Sequence, residues 1–183
     1  MEIFEDDLVR LSAFSAMGQD IALARTLPET IEKVMRHIGA VFSPVNWSLL
    51  LRDSQNGNLK FVHVTGPGSD AIRNLVLNRG QGVAGWVAEN GQPLLIADVR
   101  TDSRFHIGVD QLSGFVTKSI IAVPLVARGR VYGVIELINK LDESLFTDRD
   151  LLVLRTIADF AAIAIERAYY LRAVKRLALT DPL

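Results

Sequence analysis

The stretch "INKLDESLFTDRD", Ile138 to Asp150, decides the fold. An apolar, strand-like run closes on Asn139-Lys140, and a helical pattern opens after Phe146. Thr147 and Asp150 stand three residues apart, as in a capping box with Asp in place of the usual Glu. Lys140 and Asp150 are then placed to pair across the connection, and Phe146 can bury its ring beside them. Asn139, Lys140, Phe146 and Asp150 therefore predict a structural clasp between the end of a strand and the base of a helix. If partly buried, such a pair is costly to break.

Working outward, "SIIAVPLVA" (119–127) and "VYGVIELIN" (131–139) flank Arg128-Gly129-Arg130, which predicts a tight antiparallel turn. Alternation puts Glu136 on the face of Tyr132, Val134 and Ile138. A carboxylate there needs a partner or water. Two readings stay open: Glu136 accepts hydrogen bonds from a ligand in a polar pocket, or from loop backbone. Upstream, "NWSLLLRD" and "LKFVHV" read as strands joined through Asn56-Gly57, a hairpin signal, and "LLIAD" (94–98) as another strand. The polar segment Val99 to Lys118 predicts a long loop, and loops of that length are usually functional.

The flanks read as helices. Phe4, Leu8, Leu11 and Phe14 fall on one face of a first helix, and Thr26-Leu27-Pro28-Glu29 starts a second that runs to Phe42. From Thr147 the pattern stays helical, with Ile157, Ala161, Ala164, Ala168 and Leu171 as a coiled-coil-like seam. About 28 helical residues would span roughly 40 Å, so the far half is expected to leave the domain as a rod. Helices, an antiparallel sheet with one loop-rich excursion, and a long helix make an α+β fold.

The 183 residues suit one domain with appendages, and 49% hydrophobic content supports a core. A net charge of −1 gives no basic field for nucleic acid or an anionic membrane. There is no cysteine, which excludes disulfides, thiolate metal sites, cysteine nucleophiles and thioether-linked chromophores. The acidic N-terminus is not a signal peptide, no run is long enough for a membrane span, and a cytoplasmic location is expected.

"GQGVAG" (80–85) matches a dinucleotide fingerprint, but Asn90-Gly91-Gln92-Pro93 leaves the helix after it only two turns, too short for a βαβ crossover. It reads instead as a glycine turn and a short helix beside a cleft. His37 and His63 lack metal-ligand spacing and read as packing or surface residues. His106, in "DSRFHIGVD", keeps a binding or haem-ligand role open beside that of a solvated loop residue. No nucleophile elbow is present, so a binding module is favoured over an enzyme.

Asn-Lys, a spacer, Phe, three residues and Asp resembles the NKFDE motif of GAF domains, small-molecule sensor modules of phosphodiesterases and bacterial signalling proteins. "GQGVAGWVAENGQPLLIADV", "DSRFHIGVDQLSGFVTKSIIAVPL" and "GRVYGVIELINK" are similar to the same family. The resemblance covers residues 28 to 170. It implies a GAF-like sheet of about six mostly antiparallel strands, with N- and C-terminal helices on one face and ligand-enclosing loops on the other. It implies pocket contacts at Ser48, Val83, Ala84, Asp110, Ser113, Thr117 and Glu136, with His106 where an aromatic residue stacks on a base. Leu151 replaces the motif's final Glu, and Val64-Thr65 stands where cyclic-nucleotide binders offer Phe-Asp; both count against a cyclic nucleotide.

"LALTDPL" (177–183) resembles the opening of a GGDEF diguanylate cyclase domain. The resemblance implies an N-terminal signalling helix (1–26), a GAF sensor (27–170) and a connecting helix (171–183) into a cyclic di-GMP synthesising output domain. The expected partners are a small ligand and a second copy of the chain, paired through the terminal helices. A ligand-free dimerisation spacer and a cyclic-nucleotide-binding domain are the alternatives. Non-covalent haem on His106 is a lesser one, and free methionine sulfoxide reduction is excluded by the missing cysteines.

Overall fold

A computed structural model describes residues 2–180, with side chains for 11–179. Two helices open the chain, α1 (Glu2–Ala22) and α2 (Leu27–Phe42). Thr26 caps α2, its Oγ1 accepting from Glu29 N at 3.3 Å, with Pro28 in the first turn. Asp20 fastens α1 to α2. Its carboxylate meets Arg36 Nη2 at 2.8 Å, His37 Nε2 at 2.9 Å and Lys33 Nζ at 3.1 Å. The hydrogen bond to His37, then that to Lys33, holds the Asp20 carboxyl below the usual range.

The sheet follows: β1 (Pro44–Arg52), β2 (Leu59–Thr65), a one-turn α3 (Ser69–Ile72) and β3 (Val76–Leu77). Then come α4 (Gly82–Asn90), β4 (Leu94–Ile96), a 3-10 turn (Val99–Thr101) and α5 (Gly108–Ser113). Last are β5 (Ile120–Ala127), β6 (Arg130–Lys140) and α6 (Asp148–Thr180). The strand order is β3-β2-β1-β6-β5-β4, and every pair is antiparallel. The expected α+β architecture with six strands is the one observed.

Alternation splits the core into two layers. Leu49, Ile121, Val123, Ile135 and Leu137 meet Met35, Ile38, Leu154 and Ile157 on the helix face. Leu50, Ile120, Ala122 and Val134 meet Val83, Ala84 and Val87 of α4 on the other. Ala158, Ala161 and Ala162 on α6 are buried, and side chains this small let the helix lie close to the sheet.

The β5–β6 turn is closed by Arg128 and Gly129, both at positive φ (47° and 75°), which matches the twist of a two-residue hairpin. Just beyond it the pairing slips: Leu125 faces Gly133, but Val126 faces Val131. Tyr132 is the extra residue of this bulge, and a Cβ on Gly133 would lie 2.1 Å from Leu50 O. Tyr132 is thereby turned to the helix face, stacked on Tyr169, and does not share the face of Val134, Glu136 and Ile138. Strict alternation had placed all four together; a bulge shifts the phase by one residue and reverses the outcome.

The seam expected on α6 is also corrected. Ile157, Ala161 and Ala164 are buried inside their own domain, and Ala168 is half-buried. Residues 171–179 of α6 are all exposed. On α1, Phe14 packs on the core and Leu11 is exposed; the side chains of Phe4 and Leu8, like Asp181-Pro182-Leu183, lie outside the described residues. No described helix is long and apolar enough to cross a membrane.

Candidate functional site: a small chamber under the 99–118 segment

The sheet face away from α6 carries a buried carboxylate, Glu136, set in register between Ser48 of β1 and Ala122 of β5. Apolar Val134 and Ile138 flank it along the strand. The carboxylate has no hydrogen-bond partner among the described residues, and burial pushes its carboxyl up to about 7. Ser48 Oγ and Asn46 Oδ1 on the neighbouring strand are likewise buried without partners. Each such atom costs about 1–3 kcal/mol, so two of them beside the partnerless Glu136 carboxylate mark a site that folding alone does not satisfy. Of the two readings left open for Glu136, hydrogen bonding to loop backbone is not what the structure shows.

Opposite the sheet lies the start of α4. Its glycine-turn entry, with Gly80 and Gly82 at positive φ, brings Val83 and Ala84 to the chamber wall, and Gln81 supplies no side-chain cap. The start of α4 thus lies at the chamber wall without a side-chain cap, with the positive end of the helix behind it.

The third wall is the 99–118 segment, more structured than the loop expected from its sequence, since it contains a 3-10 turn and α5. Asp110 of α5 accepts from Thr117 twice, from N at 2.7 Å and from Oγ1 at 2.6 Å. Asn139 pins the end of the same segment. Its Oδ1 accepts from Lys118 N and Ser119 N (2.9 and 3.0 Å), and its Nδ2 donates to Val116 O (3.1 Å). Arg104 lies over the Trp86 ring at 4.8 Å and holds the segment's start onto α4. His106 accepts from Gly108 N through Nδ1 at 3.2 Å.

Ser48, Val83, Ala84, His106, Asp110, Ser113, Thr117 and Glu136 all line this one chamber. Asp110 and Thr117 bond each other rather than presenting free groups. The chamber is small: its volume is about 60 Å³, whereas small-molecule pockets run to roughly 300–1,000 Å³. Asn46 was missed by sequence reasoning; its place two residues before Ser48 on the same strand face was the available signal.

Below the chamber, Lys140 Nζ meets Asp150 Oδ2 at 2.8 Å and lies 5.5 Å from the centre of the buried Phe146 ring. Thr147 and Asp150 cap reciprocally, Thr147 N to Oδ2 at 2.7 Å and Asp150 N to Oγ1 at 3.2 Å. Asn139, next to Lys140, ties the segment over the chamber to the strand that ends at the base of α6. No group of three metal-capable side chains occurs among the described residues.

A family model described as "GAF domain" matches residues 23–165, and the chain belongs to that family. Among curated relatives it is 30% identical over 163 residues to "Probable 3',5'-cyclic phosphodiesterase pde-5" of Caenorhabditis elegans, covering 82% of this chain and 22% of that protein. It is 37% identical over 90 residues to "Dual 3',5'-cyclic-AMP and -GMP phosphodiesterase 11" of Drosophila melanogaster, covering 49% of this chain and 6% of that protein. The chain thus spans less than a quarter of either relative. Among solved structures, the GAF domain of a phosphoenolpyruvate-protein phosphotransferase from Coxiella burnetii superposes with a TM-score of 0.78 at 20% identity, over 89% of this chain and 96% of that one. A methyl-accepting chemotaxis protein fragment gives 0.74 at 24% identity, over 86% and 99%.

Proposed function

We propose that this GAF domain is a regulatory sensor whose ligand enters the chamber between the sheet and the 99–118 segment and acts on α6. The unpartnered Glu136, beside the unpartnered Ser48 Oγ and Asn46 Oδ1, carries the reading. Such a set is satisfied by a ligand with N–H or O–H donors on one edge. The uncapped start of α4 favours an acceptor or negative charge on the other. The ligand class is therefore small and amphoteric: a nucleobase-bearing compound or an amino acid. At about 60 Å³ the chamber cannot hold one as it stands. Binding requires the Asp110–Thr117 latch to part, and an order of opening and closing of this kind is a two-state element that a ligand can bias.

The similarity to two cyclic-nucleotide phosphodiesterases favours a cyclic nucleotide within that class. Val64-Thr65 and Leu151, where cyclic-nucleotide binders carry other residues, weigh against it. A diguanylate cyclase output is the finer reading of Leu177 to Leu183, and the relatives add nothing to it. The domain would work as a homodimer through its terminal helices, inside the cytoplasm.

A thermal-shift screen of cyclic GMP, cyclic AMP, nucleobases and amino acids tests the reading. At about 100 times its dissociation constant a ligand adds ~2.7 kcal/mol, several degrees for a domain this size. One class should raise Tm in the wild type and fail in Glu136→Ala. Equal shifts in both proteins would remove Glu136 from the site.

A further inference from the structure

A second concavity, about 860 Å³, lies at the other end of strands β1 and β6 and shares no lining residue with the chamber. Its walls are the 53–57 turn, the start of β6, Arg79 and the stretch of α6 around Tyr169 and Tyr170. Arg52 and Arg79 both pair with the single carboxylate of Glu89, so two guanidiniums share one negative charge. Arg130 lies 5.2 Å from the centre of the Tyr132 ring and makes no ion pair among the described residues. The carboxylates of this cleft already have partners in it or at its edge. Glu166 accepts from Tyr132 Oη at 3.0 Å and faces Arg128 at 3.4 Å. Asp53 accepts from the amides of Gln55 and Asn56 at 2.7 and 3.2 Å. Among the described residues, Arg130 is the guanidinium of the cleft left without a carboxylate partner, and it lies beside aromatic faces: Tyr132 and Tyr169 stack at 6.0 Å, and Tyr170 is exposed at the mouth.

We propose that this cleft is a second binding site, for a small planar aromatic anion. Its ring would lie against the tyrosines and its charge on Arg130 and the Arg52–Arg79 pair. Guanidinium groups suit this double task because they pair with oxyanions in a plane and stack on rings. The volume falls in the range of small-molecule sites. The position gives it a regulatory meaning. Tyr169 and Tyr170 immediately precede the fully exposed part of α6, so an occupant would grip the helix where it leaves the domain. The proposal is independent of what fills the chamber.

Amide NMR titration of the whole chain with 1-naphthyl phosphate tests it, with inorganic phosphate and 1-naphthalenemethanol as probes lacking the ring or the charge. The expected result is saturable shifts at Arg130, Val131, Tyr169 and Tyr170, at least tenfold weaker affinity in Arg130→Ala and in Tyr170→Ala, and unchanged affinity in Glu136→Ala. Absent shifts, shifts confined to the chamber, indifference to Arg130→Ala, or equal binding of either control probe would overturn it.

Discussion

Glu136 combines three properties that rarely coincide in a strand: burial, no partner, and neighbours one strand away that are equally unsatisfied. Burial raises its carboxyl from 4.5 to about 7, so the folded state holds a proton that the unfolded chain has already lost between those values. Stability from this group is therefore present at low pH and lost as pH rises from 4.5 through 7. Glu136→Gln should raise Tm at pH 8, by an amount worth on the order of 3 kcal/mol, and the gap should close below pH ~4.5. Calorimetry of both proteins across pH checks this. The clasp makes the opposite prediction. Asn139→Ala removes three hydrogen bonds, two of them to backbone amides, and should cost about 2–3 kcal/mol in denaturant titration. Asn139→Asp keeps the acceptor oxygen for those amides and should cost less.

At the scale of elements, the 99–118 segment is held at both ends and latched in its middle by Asp110 and Thr117. Thr117→Val removes the Oγ1 bond while keeping shape. It should speed amide exchange across 105–117 with a Tm loss within about 1.5 kcal/mol, the net worth of one such bond. Local signals made much of this legible beforehand. The Asn139–Asp150 clasp, the Arg128-Gly129 turn and the two-turn helix after the glycine run are set by residues within a few positions of one another. What escaped depended on packing across the fold. The Tyr132 bulge follows from Gly133 lying against Leu50, a contact between strands eighty residues apart in sequence. Periodicity alone likewise cannot tell which small-residue stripe of α6 faces its own sheet. The mutual bond of Asp110 and Thr117 was hidden because both fall in a segment with no regular period.

For the whole molecule, the proposed pairing with a second copy does not fit the alanine seam, which is buried. Ile163 and Val174, three helical turns apart on α6 and both exposed, are the positions on which that proposal is tested. Ile163→Glu with Val174→Glu should leave a folded monomer, while Ala161→Glu, which buries a charge in the core, should unfold the chain. Sedimentation equilibrium with circular dichroism separates the two outcomes. The chamber and the base of α6 are linked by β6, which carries Glu136 and Asn139 and ends in the Lys140–Asp150 pair. The central claim is that filling the first alters the second. Hydrogen exchange measured by mass spectrometry, with and without the compound that stabilises the chain most, tests this directly. The account predicts slower exchange in 105–118 together with a change in 171–180, both absent in Glu136→Ala. Protection that spares 105–118, leaves 171–180 unchanged, or persists in Glu136→Ala would contradict it.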